Sequence, residues 1–171
     1  MQNKKHLPIY GIGPLLCFPL LAVASILFIL SITGIIPVTD FGSCINVILF
    51  AVGIIFIVVG VALFFGADAG GNLQDNIKEN RLKTNGSYRF VRNPCYSTFL
   101  LLEIGLVCMC HNIYLLIIPF LFWIEMTIVL KRTEEKWLEE LYGQEYLEYC
   151  KRVNRCFPWF KRKKCFNVCE K

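Results

Sequence analysis

Residues 44–65 form an apolar run that contains no charged side chain. A helix of about 20 apolar residues crosses the hydrocarbon core of a bilayer, because a helix satisfies its own backbone hydrogen bonds there. A second apolar run extends from Gly13 to Ile36, and only a short segment separates the two. These runs predict two membrane-spanning helices joined by a turn.

A third apolar stretch, from Tyr96 to Leu130, is too long for one span and is interrupted at His111 and Asn112. This pattern predicts a helical hairpin with arms 96–110 and 113–130. The predicted fold class is therefore all-α, a polytopic transmembrane helical bundle of about four spans.

The positive charge of the chain follows the predicted membrane topology. Eleven of the eighteen Lys and Arg residues lie from Lys131 onward, five lie between Asp68 and Pro94, and two are Lys4 and Lys5. The other two connections carry none, so the positive-inside rule places both termini in the cytoplasm. The same distribution favours membrane orientation over a nucleic-acid partner.

Two amphipathic or polar segments complete the predicted organisation. Residues 67–93 are polar, and Thr133 to Val153 has apolar residues at helical spacing, with Gly143 as a possible kink. We predict an N-terminal two-helix region (1–66), a region with the polar loop, hairpin and amphipathic cytoplasmic helix (67–160), and a basic tail (161–171).

The nine cysteines do not predict a metal centre. None of their spacings has the paired arrangement of a zinc site, and no metal is expected.

Two carboxylates lie within the predicted hairpin, Glu103 in its first arm and Glu125 in its second. Acidic side chains at membrane depth are costly, and they usually face a polar interior and have a function. Glu125 precedes Arg132 by two helical turns, so both lie on one helix face. They either pair or border one cavity; a hydrogen bond between packed helices is the alternative.

The two ends of the hairpin are expected to meet. Asn93-Pro94 predicts a helix start, where unpaired backbone amides are available to an anionic ligand group. Glu134 and Glu135 follow the second arm and return to the level of Tyr96. An acidic pair beside this helix start suits a ligand with cationic and hydroxyl groups, although a Glu pair also simply complements a helix dipole.

Together these residues resemble the superfamily of isoprenylcysteine carboxyl methyltransferases and phospholipid methyltransferases. The pattern G-x-Y-x-x-x-R-(H/N)-P-x-Y is matched from Gly86 to Tyr96. The pattern E-E-x-x-L, then (F/Y)-G-x-E-Y-x-x-Y and R-V-x-x-x-x-P, is matched from Glu134 to Pro158. The resemblance covers 80–158, with order and spacing kept.

The resemblance implies an S-adenosyl-L-methionine site that faces the cytoplasm. The positions that match the family's cofactor contacts are Asn80, Arg81, Leu82, Lys83, Tyr88, Asn93, Pro94, Cys95, Tyr96, Glu134 and Glu135. Arg132, or Lys131 beside it, matches the basic residue that meets the acceptor. Asn93 stands where the eukaryotic prenylcysteine enzymes have His, so contacts there differ.

The resulting hypothesis is methyl transfer to an amphipathic or lipid-borne acceptor that enters from the bilayer. The C-terminal motifs look most like the prenylcysteine branch, which implies a carboxylate acceptor. Phospholipid or other amine N-methylation is the alternative, and Glu125 or another Glu would then accept a proton. Two further alternatives are an NADPH-dependent membrane reductase and a non-enzymatic membrane adaptor.

Overall fold

The computed structural model describes residues 13–37, 39, 41–68 and 81–157, and most of them are helical. The helices are α1 (Gly13–Ile32), α2 (Ser43–Asp68), α3 (Pro94–Met109), α4 (Ile117–Arg132), α5 (Glu134–Tyr142) and α6 (Gln144–Arg152). Short 3-10 turns cover Gly86–Arg89 and Ile113–Leu116. The described part contains no β-strand beyond a single isolated bridge, and the predicted all-α class is confirmed.

Two segments are long and apolar enough to span a membrane, Ser43–Ala67 and Tyr114–Tyr142. The apolar helices Cys17–Ile32 and Pro94–Met109 are shorter. The outer faces carry large apolar side chains, for example Val47 and Phe65 on α2, which are 68% and 71% exposed. Exposed side chains of this kind are suited to contact with lipid, as expected for a membrane helical bundle.

Helices α2 and α3 approach each other closely at glycines. A Cβ atom on Gly53 would lie 2.7 Å from the carbonyl oxygen of Gly105, so neither position has room for a side chain. Two turns along, the Thr98 hydroxyl donates to the Gly60 carbonyl oxygen (3.0 Å). Small residues and a hydroxyl of this type are the usual means of packing helices in lipid.

Helix α1 runs parallel to α3 and packs on a different side of α3 from α2. The Ser31 hydroxyl donates to the Cys110 carbonyl oxygen (3.1 Å) at the end of α3, and Cys17 packs in one buried cluster with Tyr96 near its start. The hairpin arm α3 is therefore enclosed by α1, α2 and α4.

The turn of the hairpin lies at the predicted position. His111 has a positive φ of 50°, and the Asn112 side chain accepts from the Tyr114 backbone N–H (3.0 Å). The Asn112 amide also donates to the Pro37 carbonyl oxygen (3.0 Å). Local hydrogen bonding by Asn thus fixes the turn and joins it to the α1–α2 connection.

The predicted amphipathic segment 133–153 forms two helices, α5 and α6. Gly143 separates them with a φ of 53°, a left-handed conformation that favours glycine. Helix α6 buries Tyr146 and Tyr149. The interruption of the helix at Gly143 turns α6 back toward the segment that precedes α3.

Candidate functional site

The start of α3 and the start of α5 lie side by side at the open end of the hairpin; we call the site formed by Asn93, Tyr96 and Glu134 the junction. The Tyr96 hydroxyl donates to Glu134 Oε1 (2.6 Å). This contact brings together two residues that the sequence predicted to lie at one level. A carboxylate that accepts a short hydrogen bond of this kind is held in one orientation.

Glu135 has different partners from its neighbour. Arg155 binds it through two hydrogen bonds, Nε to Oε1 (2.6 Å) and a terminal nitrogen to Oε2 (2.8 Å). Arg92 lies 3.3 Å from Oε1. The three side chains, here called the Glu135 ion cluster, are 11–18% exposed, and the bond to Glu135 raises the pKa of Arg155. The cluster joins the start of α5 to two distant segments.

The segment after α6 is paired with the segment before α3. Val91 and Asn154 form a parallel bridge. The backbone N–H of Arg92 donates to the Asn154 carbonyl oxygen (2.8 Å), and that of Asn93 donates to Arg155 (3.1 Å). Residues 153–157, here called the C-terminal segment, therefore lie directly against the junction.

Cys156, which follows in the C-terminal segment, is buried at the junction. It packs in the cluster that contains Cys17, Tyr96 and Met126. Burial raises the pKa of its thiol to about 12, so it remains a protonated, inert side chain. Cys156 therefore anchors the C-terminal segment by packing.

Tyrosines of α6 hold the predicted loop residues. The Tyr149 hydroxyl donates to the Tyr88 carbonyl oxygen (2.5 Å), and burial raises the pKa of Tyr149, which keeps this donor protonated. Leu82 packs against the cluster of Tyr146, Tyr149 and Val153. Helix α6 thus fixes the segment 82–88 through a hydrogen bond and apolar packing.

Lys83 is buried, although it lies in the segment that the sequence predicts to be a polar loop. Its Nζ donates to the Ala67 carbonyl oxygen at the end of α2 (2.7 Å) and lies 5.7 Å from the centre of the Tyr88 ring. A cation at a helix C-terminus is stabilised by the unpaired carbonyls there. Arg81 is exposed, and Asn80 lies outside the described residues.

Asn93, Pro94 and Cys95 form the start of α3. Pro94 occupies the first turn, as predicted, and the Ser97 hydroxyl donates to the Asn93 carbonyl oxygen (2.9 Å). The Asn93 side chain is buried, and its Nδ2 has no hydrogen-bond partner among the described residues. An unpaired buried donor is costly, so Nδ2 is available to a ligand acceptor.

Glu125 lies in α4, and Arg132 is the last residue of this helix. Both side chains are exposed, and no ion pair joins them within the part of the chain described. Their predicted part in acceptor binding stays a prediction.

An apolar groove of about 360 Å³ opens between the hairpin arms. Its lining consists of Leu100, Ile104, Leu116, Pro119, Phe120, Trp123 and Phe157. Leu100 is one turn from Tyr96, and Phe157 belongs to the C-terminal segment. The groove therefore extends from the junction to the lipid-facing side of the hairpin.

The sequence did not predict the role of Arg155. It occupies a variable position in the C-terminal motif, and nothing in the pattern distinguishes it from the other basic residues after Lys131. Its pairing with Glu135 arises from the return of the chain after Gly143, which only the tertiary structure shows.

Comparisons with known proteins place the chain in a family. The family model described as phospholipid methyltransferase matches residues 41–145, which is more than half of the chain. This range includes α2, the hairpin and the junction. No solved structure matches the chain.

Curated relatives match a shorter part. A probable protein-S-isoprenylcysteine O-methyltransferase of Oryza sativa subsp. indica is 31% identical over 86 residues, 48% of this chain and 44% of that protein. Protein-S-isoprenylcysteine O-methyltransferase B of Arabidopsis thaliana is 31% identical over 85 residues, 48% of this chain and 42% of its own length. The chain thus spans less than half the length of these relatives.

Proposed function

The chain belongs to the phospholipid methyltransferase family, and from this premise we propose that it transfers a methyl group from S-adenosylmethionine to a lipid-borne carboxylate. The observation that carries the proposal is the junction, where Tyr96 fixes the Glu134 carboxylate and Asn93, one turn before Tyr96 at the start of α3, has an unpaired amide. The similarity to isoprenylcysteine O-methyltransferases supports a carboxylate as the acceptor.

The polar groups of the junction fit the proposed cofactor. Glu134 is suited to the cofactor's ammonium or ribose hydroxyl groups, because an ionised carboxylate accepts from several donors. Asn93 Nδ2 is suited to the cofactor's carboxylate, since it is a buried donor without a protein partner. Tyr88, Pro94, Cys95 and the segment 80–83 would form the surrounding surface.

We divide the acidic pair by role. Glu134 contacts the cofactor, whereas Glu135, bound by Arg155 and Arg92, positions the C-terminal segment over the junction. Such a cover excludes water from the reacting groups.

The reaction itself requires little acid–base chemistry. When bound, the cofactor supplies a sulfonium-activated methyl group, and attack by the acceptor oxygen breaks the carbon–sulfur bond with its electron pair left on sulfur. The protein then has to align the acceptor and exclude water, and a carboxylate acceptor has no proton to lose. Arg132 is placed to attract such an anionic headgroup at the membrane surface.

The acceptor's lipid chain is proposed to occupy the groove between the hairpin arms. Its lining is apolar, and Leu100 and Phe157 connect it with the junction. Phe120 and Trp123 are partly exposed on the outer face, so the lipid chain can enter sideways from the bilayer. This arrangement brings the polar head to the junction while the chain stays in an apolar environment.

The family description favours one second candidate, N-methylation of a phospholipid amine. The amine would have to be neutral at the time of attack, and Glu125 would then accept the released proton. Only the acceptor differs between the two candidates.

The proposed topology follows the charge distribution. Two segments satisfy the length and hydropathy of a membrane span, and we propose four crossings with both termini in the cytoplasm. The junction then lies at the cytoplasmic surface, where the cofactor is available. The division at residues 66 and 160 stays a prediction, and the tail 161–171 lies outside the described residues.

The test is transfer of a tritiated methyl group in proteoliposomes that contain the full chain. One arm supplies N-acetyl-S-farnesylcysteine, and the other supplies phosphatidylethanolamine. We expect a base-labile product in the first arm, because methyl esters hydrolyse and N-methyl groups do not. Base-stable label in the second arm alone supports amine methylation, and no label in either arm contradicts the proposed function.

A further inference from the structure

Glu103 is an unexplained carboxyl in the middle of α3. Its side chain is 1% exposed, and neither oxygen has a hydrogen-bond partner among the described residues. Burying an unsatisfied carboxyl in an apolar region is costly, whether it is ionised or protonated. A purely structural Glu would be expected to bond to a facing helix, and this one does not.

The register between α1 and α3 explains why the facing helix offers no partner. Ser31 donates to the carbonyl oxygen of Cys110, 79 residues later, and Cys17 packs with Tyr96 at the same separation. This register places Ala24 opposite Glu103, and Ala24 is itself buried at 1% exposure. A methyl group leaves space but supplies no hydrogen bond.

Glu103 is buried deeper in the bundle than the junction, and it is not itself among the residues that line the apolar groove. It follows Tyr96 by two helical turns on the same face, about 10 Å deeper along α3. Side chains of a helix lean toward its N-terminus, so the carboxyl leans toward Tyr96. The residue after Glu103, Ile104, lines the groove.

We propose that Glu103 accepts a hydrogen bond from an N–H group of the methyl acceptor, and so selects acceptors that carry an N–H group at or next to the methylated position. This inference rests on the proposed function. Its carboxyl oxygens lack a donor, and Leu100 and Ile104, one turn before it and directly after it in α3, line the groove that is proposed for the acceptor. The shared chemistry is an N–H donor, from the amide beside a prenylcysteine carboxylate or from the ammonium of an ethanolamine lipid.

The test compares two acceptors in the full chain and in Glu103→Leu. N-acetyl-S-farnesylcysteine carries the amide, and S-farnesylthiopropionate lacks it. We expect the wild type to prefer the amide acceptor by about tenfold in kcat/KM, the value of one hydrogen bond to a buried group, and Glu103→Leu to lose this preference. If phosphatidylethanolamine is the acceptor, the variant should lose about a hundredfold in kcat/KM on it.

Two controls separate recognition from folding. Glu103→Leu replaces an unsatisfied carboxyl by an apolar side chain, so its melting temperature should stay the same or rise. Glu139→Leu removes an exposed carboxylate from α5 and should leave the preference unchanged.

The outcomes distinguish a failure of the proposed role of Glu103 from a failure of the proposed function. Unchanged preference in Glu103→Leu, an equal fall on both acceptors, or a lowered melting temperature overturns the role of Glu103 while leaving methyl transfer intact. If the wild type methylates no acceptor at all, the proposed function itself is overturned.

Discussion

The Glu135 ion cluster predicts unequal effects when its members are removed one at a time. Glu135→Ala leaves Arg92 and Arg155 facing each other at low exposure without a counter-charge. Breaking a mostly buried ion pair in this way costs about 3–5 kcal/mol. Arg155→Ala still leaves Arg92 at 3.3 Å from Glu135, so the loss should be about 2 kcal/mol, the value of charged hydrogen bonds.

The assay is thermal unfolding of the detergent-purified protein, followed by a thiol-reactive dye. Cys17 and Cys156 are 1% and 3% exposed, and they become reactive only when the bundle opens. At about 2–4 °C per kcal/mol, Glu135→Ala should lower the melting temperature by about 6–20 °C, and Arg155→Ala by about 4–8 °C. The control Glu139→Ala removes an exposed carboxylate of the same helix and should change it by no more than about 2 °C.

The order of the two effects is the critical result. If Arg155→Ala destabilises the protein as much as Glu135→Ala, Arg92 does not share the carboxylate, and the cluster does not join three segments. If neither variant differs from Glu139→Ala, the C-terminal segment is not fixed through Glu135.

Two further predictions concern packing and hydrogen bonding. Gly105→Ala should destabilise the bundle by about 1–3 kcal/mol, because its Cβ would lie 2.8 Å from the Gly53 carbonyl oxygen. Ala62→Val on the exposed face of α2 is the control in the same melting assay, and equal effects of the two substitutions would refute the close approach of α2 and α3. Tyr149→Phe should lower the free energy of unfolding by about 1 kcal/mol and increase proteolysis around Tyr88, since the hydroxyl that donates to the Tyr88 carbonyl oxygen is lost. Unchanged digestion would show that this hydrogen bond does not hold the segment in place.

The helices and the meeting of the hairpin ends could be predicted from the sequence. Uncharged runs define α1 and α2, and His111-Asn112 interrupts a stretch too long for one span, which fixes the hairpin. Once the hairpin is known, Glu134 must return to the level of Tyr96. These inferences depend on local patterns and chain length, which the sequence records directly.

The partners within the site could not be predicted in the same way. The different environments of Glu134 and Glu135 depend on Arg155, which reaches Glu135 only because the chain turns at Gly143. The burial of Lys83 likewise depends on where α2 ends, and a basic residue in a polar loop gives no sign of it. Long-range contacts of this kind are set by tertiary packing.

The central claim, that the junction binds S-adenosylmethionine, is tested most directly by calorimetric titration of S-adenosylhomocysteine into the detergent-purified protein. We predict micromolar binding that is lost in Glu134→Ala and weakened in Tyr96→Phe, with no binding of NADPH. Tyr96→Phe separates orientation from charge, because it removes only the hydroxyl that holds the carboxylate. Absence of S-adenosylhomocysteine binding by the folded wild type, or equal binding by Glu134→Ala, would contradict the account.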